Sequence, residues 1–146
     1  ANAILNLTPG SFGPGLTSDM VRDGSILEIS NQFIRPFYKS RAEVAINWLE
    51  SELADFPFRF HTPEGAIFLW LWLKDLPITS EMLYQRLKAR GVLVIPGEHF
   101  FPGLTEPWTH RHECIRISYA QDQHTIELGI VIIAEEIRKA YGDAIS

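Results

Sequence analysis

Apolar residues recur at three- and four-residue steps in the first third of the chain and predict one long helix. Its start is predicted at Ser25, in the capping pattern Ser-Ile-Leu-Glu, after a short segment capped by Thr17 or Ser18 that ends near Gly24. Pro36 lies inside the pattern and removes one backbone hydrogen bond, so we expect a kink there. The predicted apolar stripe consists of Ile26, Ile29, Phe33, Phe37, Val44 and Trp48.

Two further helices are predicted along the chain, each with a recognisable cap. Thr79 precedes a helix over Ser80–Arg90, and Gly91 follows it as a C-cap. Asp122 is expected to cap the last helix. Its apolar stripe consists of Ile126, Ile130, Ile133 and Ile137.

Alternating or continuous apolar runs predict four strands. Residues 58–61 and 66–73 flank a Pro- and Gly-containing turn and form a predicted hairpin. The other two strands are Val92–Ile95 and 114–119. In the last one, Ile115, Ile117 and Tyr119 fall on one face, and Cys114, Arg116 and Ser118 fall on the other.

This order of elements predicts an α+β fold with a long kinked N-terminal helix and a four-stranded, mainly antiparallel sheet. The connection rules favour the strand order 58–61, 67–73, 114–119, 92–95, antiparallel throughout, with the helices on one face. Because the strand 66–73 is apolar on both faces, we expect its second face to meet a partner surface or a further domain.

Composition limits the expected partners and the expected cellular location. The chain has 146 residues, 46% of them apolar, and a formal net charge of −5, so nucleic acid is not an expected partner. No apolar run is long enough to predict a membrane span, and a single cysteine favours a cytoplasmic location. Residues 1–15 are rich in Gly and Pro and predict an arm or linker before a domain over 16–146.

Arg116 is the main candidate for chemistry, because an arginine in the middle of a buried strand requires an anion. Two interpretations remain open. The anion is either a protein carboxylate, from Glu64, Glu98 or Glu113, or the carboxylate of a ligand held by two parallel hydrogen bonds.

The segment between the last two strands offers weaker candidates. The Pro96–Gly103 loop directly follows a strand, as loops that line sites often do, and an ordinary surface loop is the alternative. His110, His112 and Cys114 alternate and would share one strand face, which resembles part of a zinc site. No second ligand cluster exists, so a solvated loop and no metal are expected.

Several stretches together resemble the C-terminal part of fold-type I aminotransferases, which use pyridoxal 5′-phosphate. The matching motifs are Pro-Glu-Gly-Ala-Ile-Phe-Leu-Trp at 63–70, Ile-Pro-Gly at 95–97 and Ile-Arg-Ile-Ser at 115–118, with Leu-Tyr-Gln-Arg-Leu-Lys-Ala-Arg-Gly-Val at 83–92. A longer string over 63–76, with Phe-Phe-Pro-Gly-Leu at 100–104, resembles the valine–pyruvate aminotransferases in particular.

The resemblance implies a small domain whose Arg116 binds the α-carboxylate of the substrate, with Gly97 and Phe100 as further substrate-binding residues. It implies amino transfer between valine or alanine and pyruvate or 2-oxoisovalerate, in a homodimer. The family's Schiff-base lysine has no counterpart among Lys39, Lys74, Lys88 and Lys139. No catalytic or cofactor-binding residue is therefore expected here, and the chain alone is expected to be inactive and without cofactor. Residues 1–15 would be the remnant of a missing large cofactor domain.

A different class of function remains open. An aminotransferase-like domain also serves as a ligand-binding or regulatory module without catalysis, as in some transcription regulators. Another reaction on the same fold, such as decarboxylation or acyl transfer, also remains open, because the residues that choose the reaction would surround the cofactor.

Overall fold

The computed structural model describes residues 12–143, which divide into two compact units with the boundary between Phe37 and Tyr38. The first unit is helical: α1 (Phe12–Asp23), α2 (Ser25–Ile29) and a π-helical turn (Ser30–Ile34). Helix α3 (Arg35–Glu52) begins in the first unit and ends in the second.

The start of the helical region differs from the prediction in two ways. Helix α1 begins at Phe12, so the Gly- and Pro-rich residues 12–15 are helical; Pro14 lies in the first turn, where its missing N–H has no partner to lose. Thr17 and Ser18 therefore lie inside α1 rather than capping it. The rest of the predicted arm, residues 1–11, lies outside the described residues.

The predicted capping pattern at Ser25 is also wrong. Gly24 is the N-cap of α2 and has φ 82°, a left-handed conformation that glycine adopts without strain and that separates α1 from α2. Gly24 has no side chain that could cap α2, and the side chain of the preceding residue serves instead: Asp23 Oδ1 accepts a hydrogen bond from the Ser25 backbone N–H at 2.9 Å.

The irregularity expected at Pro36 takes the form of the π-helical turn immediately before α3. The wider turn accommodates a proline ring that would clash with the carbonyl four residues earlier. Its extra residue also shifts the helical register, so the predicted stripe does not continue through it. Phe33 and Phe37 are exposed, and the buried side of α3 instead carries Ala42, Ala45 and Leu49.

The second unit contains a sheet and two further helices, in the order β1 (Phe58–Phe60), β2 (Phe68–Leu73), α4 (Ser80–Ala89), β3 (Ile95–Pro96), β4 (Cys114–Ser118) and α5 (Gln123–Asp143). Two 3₁₀ turns, Gly97–Phe100 and Thr109–His112, lie between β3 and β4. The sheet order is β1-β2-β4-β3, and every pair is antiparallel. The predicted class, strand order and strand directions are confirmed.

Strand β3 is shorter than the predicted Val92–Ile95. The Val92 N–H donates to the Leu87 carbonyl at 3.0 Å, which extends the C-terminal cap of α4 and withdraws this part of the chain from the sheet. Pro96 has no N–H to donate, so β3 remains a short edge strand paired only with β4.

The predicted N-caps of the last two helices are confirmed, whereas α4 ends one residue before the predicted Arg90 and has Arg90 rather than Gly91 as its C-cap. Thr79 Oγ1 accepts a hydrogen bond from the Met82 N–H at 3.2 Å, and Asp122 Oδ1 accepts one from the Thr125 N–H at 3.0 Å.

One face of the sheet forms the core with the helices. Leu69, Leu71, Leu73 and Ile115 are each 0% exposed, and Ile117 is 6% exposed. The predicted stripe of α5 is buried against this cluster, as are Leu83 and Leu87 of α4. Within residues 12–143, none of the helices combines the length and apolar character that a membrane crossing requires.

Candidate carboxylate-binding site

The other face of the sheet carries aromatic residues and one arginine. The β2–β4 register places Phe68 opposite Ser118, Trp70 opposite Arg116 and Trp72 opposite Cys114. Directly opposite residues of an antiparallel pair point to the same side. These side chains therefore share one surface, which we call the aromatic face.

The segment between β3 and β4 covers much of the aromatic face. Phe100 and Phe101 meet Trp70 edge to face, with ring centroids 5.0 Å and 6.1 Å away. His110 packs against Trp72 at 4.9 Å. We expected this apolar face to meet a partner surface or a further domain, because the predicted helices would cover only the opposite face. Instead the chain's own loop covers a large part of it.

Arg116 lies half-buried on this face and contacts two aromatic rings. Its guanidinium carbon is 4.0 Å from the centroid of the Phe68 ring and 5.1 Å from that of Phe100. Phe68 is the diagonal neighbour of Arg116 across the β2–β4 pair. Since Ser118 opposite Phe68 is small, it leaves room for the guanidinium to reach the ring.

Two of the three protein carboxylates proposed as partners of Arg116 are used elsewhere. Glu113 accepts hydrogen bonds from Trp72 Nε1 at 2.8 Å and from the Asp75 N–H at 3.1 Å. Glu98 is held by neighbours in its own region, and Glu64 is exposed. Within the described part of the chain, Arg116 takes part in no salt bridge. The internal ion-pair interpretation therefore finds no support.

Glu98 anchors the turn that carries Phe100. Its carboxylate accepts a 2.6 Å hydrogen bond from Ser80 Oγ at the start of α4 and lies 2.8 Å from His112 Nδ1. Partial burial raises the pKa of Glu98, but the hydrogen bonds from Ser80 and His112 outweigh it and hold the pKa below its ordinary value. The charged form thus fastens the loop to a helix.

Gly97 is buried at a close approach between two parts of the loop. A Cβ there would lie 2.5 Å from the Arg111 carbonyl oxygen and 2.9 Å from that of Cys114. Glycine is required at this position by packing alone. A substrate contact of Gly97 stays a prediction.

The two histidines do not form the strand-like pair suggested by their spacing, because Thr109–His112 is a 3₁₀ turn. His112 pairs with Glu98, whereas His110 Nε2 lies 3.4 Å from Cys114 Sγ. Burial raises the pKa of the Cys114 thiol to about 12, so it stays protonated at neutral pH. Across residues 12–143, no group of three His, Cys, Asp or Glu side chains is placed to hold a metal ion.

The described residues do not fit a covalent pyridoxal phosphate site. All four lysines are exposed, and three of them lie on helices. Lys39 pairs with Glu43, Lys139 pairs with Glu136, and Lys88 lies over the Tyr84 ring. None is enclosed in a desolvated pocket of the kind that holds a reactive lysine.

Sequence reasoning proposed Arg116 and Phe100 as site candidates but did not propose Phe68. Alternation alone assigned Phe68 and Arg116 each to one face of its own strand. Only the register, Trp70 opposite Arg116, brings the two onto the same surface within contact distance. A register inferred from the predicted strand order would have been the available signal.

Comparisons with known proteins agree on one family. No protein-family model matches the chain. It is 48% identical over 143 residues to valine–pyruvate aminotransferase of Escherichia coli (strain K12), a match that covers 98% of this chain and 34% of that enzyme.

Solved structures give the same result. The crystal structure of valine–pyruvate aminotransferase from Salmonella typhimurium LT2 is 49% identical, with a TM-score of 0.85, over 96% of this chain and 36% of that one. A putative amino-acid aminotransferase from Psychrobacter arcticum 273-4 is 46% identical, with a TM-score of 0.87, over 97% of this chain and 32% of that one. The chain is therefore homologous to about one third of the length of valine–pyruvate aminotransferase and has the fold of an aminotransferase small domain.

Proposed function

We propose that this chain is the C-terminal small domain of a pyridoxal 5′-phosphate-dependent aminotransferase and contributes the arginine that binds the substrate α-carboxylate. The reaction is amino transfer between valine or alanine and pyruvate or 2-oxoisovalerate. The observation that carries the proposal is a half-buried Arg116 that contacts aromatic rings and has no protein carboxylate among the described residues. The similarity to valine–pyruvate aminotransferases supports the choice of substrates.

Arg116 has the geometry that carboxylate recognition requires. The guanidinium donors lie in its plane and can make two parallel hydrogen bonds to a carboxylate, and the two phenylalanine rings carry no acceptor group that would take up those donors. A carboxylate fixed in this way orients the bond to the amino-bearing carbon. Beside it, Trp70, against which Phe100 packs, presents an apolar surface that suits a small aliphatic side chain.

The remaining parts of the proposal concern the whole enzyme. The cofactor would be held by residues outside those described, since no lysine here fits it. We also propose a homodimer that works in the cytoplasm. The single cysteine is buried and free, which agrees with a reducing compartment.

The test is to replace Arg116 in the complete enzyme. Arg116→Ala is expected to lower kcat/KM for valine by about 3–5 kcal/mol of transition-state stabilisation, because both binding and orientation are lost. Arg116→Lys should recover only part, since an ammonium does not reproduce the two parallel bonds. The melting temperature should change little. Mutants that unfold while their folded fraction keeps normal kinetics would show that Arg116 is a structural residue.

A second experiment examines the assignment of the cofactor to the rest of the enzyme. The 146-residue chain is mixed with pyridoxal 5′-phosphate, reduced with borohydride and weighed by mass spectrometry. We expect no stoichiometric adduct on a single lysine. An adduct that disappears when one lysine is replaced would contradict this part of the proposal.

A further inference from the structure

We infer that Phe68 and Phe100 are positioning residues for Arg116 and that they determine how tightly it holds a carboxylate. This inference rests on the proposed role of Arg116 and adds two residues to it. The rings and the guanidinium form what we call the arginine clamp: Phe68, Phe100 and Arg116. For Phe100, the inferred role is contact with the arginine rather than with the substrate side chain.

The clamp is built from three separate parts of the second unit. Phe68 stands at the start of β2, Arg116 in the middle of β4, and Phe100 at the end of a 3₁₀ turn. The distances of 4.0 Å and 5.1 Å from the guanidinium carbon to the two ring centroids lie within the range of cation–π contacts. Neither ring offers a hydrogen-bond acceptor in its plane, so the contacts hold the cation without satisfying its donors.

Both rings are themselves held in place. Phe100 packs edge to face on Trp70 at 5.0 Å, and its turn is tied to α4 through Glu98 and Ser80. Phe68 lies in the β2–β4 ladder opposite Ser118. Each ring nevertheless remains partly exposed, 36% for Phe68 and 38% for Phe100, so the core does not depend on them. This combination of fixed position and partial exposure is typical of residues that serve a ligand site.

The clamp reduces the side-chain entropy and the hydration that Arg116 loses when a carboxylate binds. A free arginine side chain samples many rotamers and carries ordered water, and both must be given up when a carboxylate binds. The two ring contacts limit the rotamers and displace water from the guanidinium before the ligand arrives. Removing a ring should therefore weaken binding of every carboxylate substrate by a similar factor, whatever its side chain.

The first experiment measures the clamp itself in the 146-residue chain. NMR signals of the Arg116 side chain, assigned by their loss in Arg116→Lys, are expected to be displaced upfield by the ring currents of the two phenylalanines. Phe68→Leu keeps an apolar side chain but removes the ring, and should move these signals downfield. Phe58→Leu makes the same change on β1, away from Arg116, and is the matched control. If the Arg116 signals respond to neither Phe68→Leu nor Phe100→Leu, the two rings do not contact the guanidinium and the inference is wrong.

The second experiment measures function in the complete enzyme. Phe68→Leu and Phe100→Leu should each raise KM for valine and for alanine about 3- to 10-fold, the scale of one cation–π contact, with a smaller change in kcat. Phe68→Tyr keeps an aromatic ring at this position and should therefore leave KM close to that of the unmodified enzyme. A purely structural role predicts instead a lower melting temperature with unchanged KM, and that result would overturn the inference.

The two experiments separate this inference from the proposal beneath it. If Arg116→Ala leaves KM unchanged while the NMR signals still respond to the rings, the clamp exists but the carboxylate role is wrong. If Arg116→Ala raises KM and the phenylalanine variants do not, Arg116 binds the carboxylate without help from the clamp.

Discussion

The two faces of the same sheet are built on opposite principles. On the core face, Leu69, Leu71 and Ile115 are each 0% exposed and belong to the apolar core cluster. On the aromatic face, Phe68, Trp70 and Arg116 are partly exposed and are covered by an irregular loop. Successive residues of one strand thus alternate between the hydrophobic core and the candidate site.

The difference shows where the chain can tolerate a polar group. A cation on the core face would lack any partner and would cost several kcal/mol. On the aromatic face the rings stabilise the guanidinium through their π surfaces, and partial exposure keeps its donors accessible. The site is therefore supported by the core without being part of it.

The largest effect should come from the core face. Leu71→Ala removes a fully buried side chain and should lower the free energy of unfolding by about 2–5 kcal/mol. Phe68→Ala, on the other face of the same strand, should cost about 1 kcal/mol or less, because that side chain is already partly exposed. Urea denaturation measures both. Equal losses would remove the distinction between the faces.

A second substitution tests the close packing of the loop over the aromatic face. Gly97→Ala forces a Cβ to within 2.5 Å of the Arg111 carbonyl oxygen, so the backbone must shift, at a cost of about 1–3 kcal/mol. Gly65→Ala is the control, since a Cβ there meets nothing within 4 Å. The melting temperatures of the two variants decide the matter. If the melting temperature of Gly97→Ala is no lower than that of Gly65→Ala, the loop does not pack closely against Gly97.

The Glu98 anchor should make loop attachment dependent on pH. Because its folded pKa lies below the ordinary 4.5, the charged form adds stability above that pH, and the contribution is lost as the pH falls through the folded pKa. Glu98→Gln should lower the free energy of unfolding by about 1–2 kcal/mol at pH 7. The difference from the unmodified chain should shrink below about pH 4.5. A difference that stays constant down to pH 3 would exclude an ionised anchor.

The smallest expected effect concerns Cys114. With its pKa raised to about 12 by burial, the thiol should stay unmodified when the folded chain is treated with iodoacetamide at pH 7.5. Labelling should appear only when urea unfolds the chain, which mass spectrometry would show. Rapid labelling without urea would mean that the loop over this end of the aromatic face opens readily.

Local patterns were enough to predict the core face. Alternation assigned Ile115, Ile117 and Tyr119 to one side of β4, and the structure buries all three. The strand order followed from the connection rules, and the caps Thr79 and Asp122 followed from residue type. Each of these depends on neighbours in sequence or on a few topological rules.

The aromatic face could be predicted only in part, because its contacts join distant segments. Arg116 was identified from its position between small residues and from a resemblance. Its contact with Phe68 depends on strand register, and its contact with Phe100 depends on a 3₁₀ turn that replaced an expected loop. The helical start was missed for a different reason: the composition of residues 12–15 disfavours a helix interior but not a first turn.

The most direct test of the account is a double-mutant cycle between Arg116 and the substrate carboxylate in the complete enzyme. Single-turnover rate constants are measured for valine and for 2-methylpropylamine, which lacks the carboxylate, with the unmodified enzyme and with Arg116→Ala. If Arg116 binds the carboxylate, removing either partner abolishes the same interaction, and the coupling should be about 3–5 kcal/mol. Effects that add to within about 0.5 kcal/mol would show that Arg116 does not bind the carboxylate.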